Sequence, residues 1–138
     1  MTFGNMSSMV GNLDPKATIK GSNRPLVATL SNTFGVQPQY LVSWMRHLSY
    51  IRNICAHQNR FYDSRTTISP RLFNNEKHFN SKSQFSTFLI LKHIYQRAWP
   101  TAWIEAMIEL ETIMQKYPQV SLKPMGFPDN WQEVLRIE

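Results

Sequence analysis

Leu41-Val42-Ser43-Trp44-Met45-Arg46-His47-Leu48-Ser49-Tyr50-Ile51-Arg52-Asn53-Ile54-Cys55-Ala56-His57 decides the fold class. At about 100° per residue, Leu41, Trp44, Met45, Leu48, Ile51 and Cys55 fall on one apolar stripe, the mark of an amphipathic helix. Pro38 opens it, and it is expected to run from Gln39 to about Gln58. Upstream, Phe3 to Leu13 has apolar residues at helical spacing and stops at Asp14-Pro15. A second segment runs through Leu26, Val27 and Leu30 to a Gly35 cap. Downstream, Asn59 to Ser81 is polar and basic without a period and reads as a loop with a short turn of helix. Ser83 to Trp99 and Thr101 to Tyr117 read as helices, the latter with Trp103, Ile104, Met107, Ile108, Leu110, Ile113 and Met114 on its buried side. Asp129 three residues before Gln132 is a capping-box pattern that predicts a last short helix, Asn130 to Arg136. No segment alternates with period two, so the expected fold is all-α, a helical bundle forming a single domain over residues 1–138.

A chain of 138 residues with 42% hydrophobic content, four Trp, eight Phe and five Tyr can bury a core. Its single Cys55 allows no internal disulfide, its apolar position suits a buried residue, and a reducing cytoplasm is the expected compartment. There is no basic leader followed by an apolar run, and no apolar stretch approaches ~18 residues, so a secreted or membrane-spanning chain is not expected. Residues 16–97 hold twelve Lys or Arg against Asp63 and Glu76, a balance of +10, while residues 98–138 carry −3. The overall +6 therefore understates a strongly basic stretch suited to a polyanion.

Arg52 falls roughly 20° from Leu41 on the helical wheel, inside the apolar stripe. A guanidinium is costly to bury alone, so Arg52 is expected to have a partner, line a cleft or face a subunit interface. His57 lies roughly 140° further round, and the two converge on one target only if the helix ends near Ala56 or if a two-fold axis brings a second copy's pair into the same cleft. A helix C-terminus favours an imidazolium, which suits an acid/base histidine as well as a simple cap. The chain has no Gly-rich phosphate loop and no nucleophile elbow. No carboxylate cluster stands beside a histidine in the sequence, and His47, His57, His78 and His93 lack metal-ligand spacing, so neither a metal nor another cofactor is expected.

Arg52-Asn53-Ile54-Cys55-Ala56-His57 resembles the Arg, polar residue, then His motif of the HEPN superfamily of helical ribonucleases. Extended to Trp44, Leu48, Ile51 and Arg60, it is similar to the bacterial abortive-infection Abi-like (AbiD/AbiF-type) family. Thr2-Phe3-Gly4 to Asn12-Leu13 and Met125-Gly126-Phe127-Pro128-x2-Trp131 resemble that family as well. The likeness is to the C-terminal half of proteins about twice this long, so this chain is expected to correspond to part of such a protein. Where the family often has a second His and then Arg-Leu-Trp-Asn, this chain has Gln58-Asn59-Arg60-Phe61-Tyr62-Asp63.

The resemblance implies a metal-independent endoribonuclease, homodimeric, of the toxin type used in phage defence, with an antitoxin protein or RNA as a possible further partner. His57 is then the acid/base for attack of a ribose 2′-OH on the adjacent phosphate, leaving a 2′,3′-cyclic phosphate, and Arg52 stabilises the charge that develops. Asn53 orients one of them or binds the phosphate, and Arg60, Arg46 and His47 bind the RNA backbone. Phe61, Tyr62, Phe73 and Phe79 either stack unpaired bases or pack the loop onto the bundle. The alternatives are a non-catalytic RNA-binding or partner-binding module, an inactive truncated family member, and a structural dimer domain using Arg52 as an interface ion-pair residue.

Overall fold

Prolines set the helix starts. The computed structural model describes residues 25–138. It contains α1 (Leu26–Thr33), α2 (Pro38–Ala56), α3 (Phe85–Ala98), α4 (Pro100–Lys116) and α5 (Trp131–Leu135), with 3₁₀ turns at Asn74–Glu76 and Lys123–Met125. Pro25 sits at the N-cap of α1, and Pro38 and Pro100 begin α2 and α4, where a fixed φ is pre-set for helix and the missing N–H has no partner to lose. Among the described residues there is no strand, and the fold is all-α as the periodicity implies. The expected helix over Phe3 to Leu13 and the Thr2 to Leu13 motif lie outside the described residues.

The core gathers on α3. Phe85, Leu89 and Ile90 are fully buried and meet Trp44 and Leu41 of α2, Trp103 of α4 and Leu135 of α5. The short α5 is held by two long-range bonds: Trp103 Nε1 donates to Leu135 O at 2.9 Å, and Lys92 Nζ to Val134 O at 2.7 Å. The Met125-to-Trp131 motif is structural here. Met125, Phe127 and Trp131 are buried, and Phe127 meets Phe85 edge-on at 4.8 Å between ring centroids. Between them Gly126 adopts φ +81°, and a Cβ there would lie 2.5 Å from Ser83 Cβ, so only glycine lets the C-terminal segment approach the start of α3.

Three expectations are corrected. Of the α4 residues expected on its buried side, only Trp103 is buried; Ile104, Ile108 and Ile113 are exposed, because α4 packs on α3 along a single stripe and α5, which meets it at Trp103, leaves an open cleft beside Ile104 and Ile108. Cys55 is exposed, since Ile51 is the last buried residue of α2 and the helix continues beyond the core. The Asp129 to Gln132 capping box does not form: Asn130 is the N-cap of α5, and Asp129 instead lies 3.3 Å from Lys123 Nζ.

The basic stretch between α2 and α3 is pinned rather than loose. His47 Nδ1 bonds Ile68 O, Arg71 N–H donates to Ser43 Oγ at 2.8 Å, and Trp44 Nε1 donates to Arg71 O at 2.8 Å. Further along, Thr66 binds Lys82 O through both its N–H and its hydroxyl, and the Gln84 amide donates to Ser64 O. Phe61, Phe73 and Phe79 pack against the core, and the Tyr62 hydroxyl donates to Ser121 O at 2.7 Å. Three of the four aromatics therefore face inward rather than toward a ligand.

Candidate functional site

The last two turns of α2 carry polar groups into solvent. Arg52, Asn53, Ala56 and His57 are exposed, and Arg52 Nη1 donates to Asn53 Oδ1 at 3.2 Å. Arg52 shares the wheel angle of Leu41 yet escapes burial, because the core has ended one turn earlier. The helix closes at His57 by a Schellman arrangement. Gln58 N–H bonds Cys55 O at 3.1 Å and Asn59 N–H bonds Ile54 O at 3.0 Å, with Gln58 at φ +55°. That conformation is usually left to glycine, and a second non-glycine residue with positive φ, Asp63 at +53°, follows five residues later.

Between these two points the chain turns sharply around Arg60. Its guanidinium donates to Tyr62 O at 2.8 Å and approaches Asp63 Oδ2 at 3.4 Å, both in solvent, where such a pair contributes little to stability. Arg60 is thereby oriented beside the helix end while remaining exposed. Arg52 and Asn53 are brought together by a hydrogen bond. Asn53 and His57 are one turn apart on α2, the His57 amide bonding Asn53 O at 3.1 Å. Arg52 and His57 share no hydrogen bond within the chain, in keeping with their wheel separation.

His47 is the site residue that the structure removes from the surface. It is fully buried, with Nδ1 on Ile68 O and Nε2 2.8 Å from Thr87 Oγ1. The carbonyl requires an Nδ1–H, and in the neutral imidazole Nε2 accepts from the threonine hydroxyl. Burial pushes its pKa below the ordinary value, only partly opposed by the bond to Ile68 O. It is a clamp between α2, the basic stretch and α3, unable to reach an RNA backbone. Arg46, one residue earlier, is exposed and remains on the surface.

A carboxylate does stand beside a histidine, which sequence spacing had hidden. Glu76 Oε1 lies 2.8 Å from His93 Nε2, both side chains mostly buried, and the His93 ring stacks on Trp44 at 5.8 Å with 14° between planes. Glu76 also attracts the neighbouring Lys92, whose pKa burial nonetheless lowers. The available signal was composition: an acid in a stretch with twelve cations against two acids has a partner to hold.

Fold and helix end together define a helical-bundle protein that presents an Arg-Asn-x3-His cluster at an exposed helix terminus. The family model described as Abi-like protein matches residues 1–63, a little under half of the chain, and over that segment the chain is similar to the Abi-like family. The matched segment contains the cluster and ends at Asp63, just past Arg60; the Met125 to Trp131 motif lies beyond it. No curated protein and no solved structure matches the chain. Among the described residues, no helix is long and apolar enough to cross a membrane.

Proposed function

We propose that the exposed end of α2 is the active site of a metal-independent endoribonuclease that works as a homodimer. The observation that carries this reading is the placement of Arg52, Asn53 and His57, all exposed on the two turns that project past the core, where none of them serves packing. In this reading the ribose 2′ oxygen bonds to phosphorus as the bond to the 5′ oxygen breaks. One His57 takes the 2′ proton and the equivalent imidazole of the second copy protonates the leaving oxygen. Arg52, held by Asn53, faces the charge that accumulates on the phosphoryl oxygens. A two-fold axis at the helix end supplies the convergence that ~140° of wheel separation denies to one chain.

The test is RNA cleavage in EDTA with analysis of the product ends. Cleavage that leaves 2′,3′-cyclic phosphates and is lost in His57→Ala is expected. A requirement for a divalent metal, or activity undiminished in His57→Ala, refutes the proposal. A non-catalytic RNA-binding module is the second reading, favoured by the +10 balance of residues 16–97. It predicts salt-sensitive RNA binding without cleavage.

A further inference from the structure

We propose a second binding site, a phosphodiester-binding pocket at Arg71 and Lys77 that grips the substrate strand some distance from His57. The choice of RNA as its ligand rests on the reading above. The pocket holds about 350 Å³ and is lined by Ser43, Ser69, Arg71, Lys77, Phe79 and Ser81 among others, with no acidic residue in its wall. Neither cation has a carboxylate partner among the described residues. Two cations and three hydroxyl groups around an open space are the chemistry that recognises a phosphate.

The pocket is also pre-formed. Arg71 is fixed on both sides of its backbone, by Ser43 Oγ on its amide and by the Trp44 indole on its carbonyl, and its guanidinium sits over the Tyr40 ring at 5.9 Å. Ser43 accepts the Arg71 amide hydrogen, and that bond does not use its own hydroxyl proton. A phosphate entering here meets an Arg71 whose backbone is already anchored, so that residue's share of the ordering entropy is not lost on binding.

Its location relative to His57 gives the pocket its meaning. Ser43, Arg46, Tyr50 and His57 fall within about 60° of one another on the wheel of α2, so pocket and proposed active site lie along one face of the helix. Fourteen residues separate Ser43 from His57, about 21 Å of helix axis. That length is roughly six nucleotides of stacked strand, fewer if the strand is extended. The exposed Arg46 lies between the two ends on the same face. The geometry points to a single-stranded RNA lying along α2, anchored at Arg71 and Lys77 and cleaved at the helix end.

Fluorescence anisotropy with a labelled twelve-nucleotide 2′-O-methyl RNA, which lacks the nucleophile and stays intact, tests the pocket on the full chain. Arg71→Ala with Lys77→Ala is expected to weaken binding roughly tenfold or more. It should also flatten the slope of log affinity against log salt by about 0.7, the share of one single-strand phosphate contact. Arg71→Lys with Lys77→Arg keeps the charge and should bind near the unsubstituted level. Unchanged affinity and slope in the double alanine variant overturn the proposal. So does equal weakness in the charge-retaining variant, or inorganic phosphate binding that the twelve-mer does not compete with. Failure of the ribonuclease reading shows separately, as unmodified RNA left uncut by a chain that still binds the twelve-mer through this pocket.

Discussion

Replacing His47 by alanine should be among the most damaging single changes available in α2. The imidazole is fully buried and satisfies Ile68 O on one side and Thr87 Oγ1 on the other. Its removal strands two polar atoms at about 1–3 kcal/mol each, for a total of about 2–5 kcal/mol with some relief where water enters. That is a large part of the 5–15 kcal/mol typical of a domain, so the urea midpoint should fall steeply. The same residue makes stability depend on pH. Its pKa is lowered by burial from 6.5 in the unfolded chain, so below pH 6.5 the unfolded state takes up a proton that the folded state refuses. Stability is therefore full above pH 6.5 and falls as the pH drops toward the folded value, at no more than about 1.4 kcal/mol per pH unit for one proton. The Thr87 hydroxyl can rotate to accept from a protonated Nε2, so the cost is that of placing a charge in the core rather than of a lost bond. Urea unfolding of the unsubstituted chain and of His47→Gln between pH 5 and 8 isolates the effect, because glutamine does not titrate. Parallel pH curves, or a loss below about 0.5 kcal/mol in His47→Ala, would show that the clamp does not hold these three elements together.

Other outcomes follow from single contacts. Gln58→Gly should stabilise the fold by up to about 1 kcal/mol in thermal unfolding, since the left-handed φ of +55° at Gln58 favours glycine by more than the added chain entropy costs. Gly126→Ala should cost about 2–4 kcal/mol, combining a positive φ with a Cβ set against Ser83, and the loss should appear in denaturant unfolding. Trp44→Phe removes the indole donor to Arg71 O; an expected loss of about 1–3 kcal/mol should come with faster amide exchange near residue 71. Ile108→Lys, on the uncovered flank of α4, should leave monomer stability within about 0.5 kcal/mol, as circular dichroism melts will read.

Helix positions were legible in the sequence because proline and glycine act locally. Pro38 and Pro100 start helices wherever they stand, and Gly35 follows α1 with φ +65° as its cap position requires. Burial was less legible because it belongs to the partner as much as to the helix. The α4 isoleucines have the spacing of a buried face, and α3 covers only the side on which Trp103 lies. Arg52 errs in the opposite direction: its wheel angle is that of Leu41, but a wheel has no axial coordinate and cannot show that the core stops at Ile51. Nor does periodicity see the pairing of Glu76 with His93, which depends on a 3₁₀ turn meeting α3 from seventeen residues away.

His47 and His57 show why the axial coordinate matters for chemistry. His47 sits within α2 and His57 caps its end, and both were candidates for work on RNA. Ten residues, about 15 Å of helix, separate them. The first lies at the level of Thr87, where removing water keeps the imidazole neutral and commits both nitrogens to structure. The second lies past the last buried side chain and is exposed to solvent. An acid/base group must exchange protons with its substrate and with water during each turnover, and only the second position permits that. The projection of α2 beyond the core is thus the structural step that makes a catalytic reading possible for His57 while excluding it for His47.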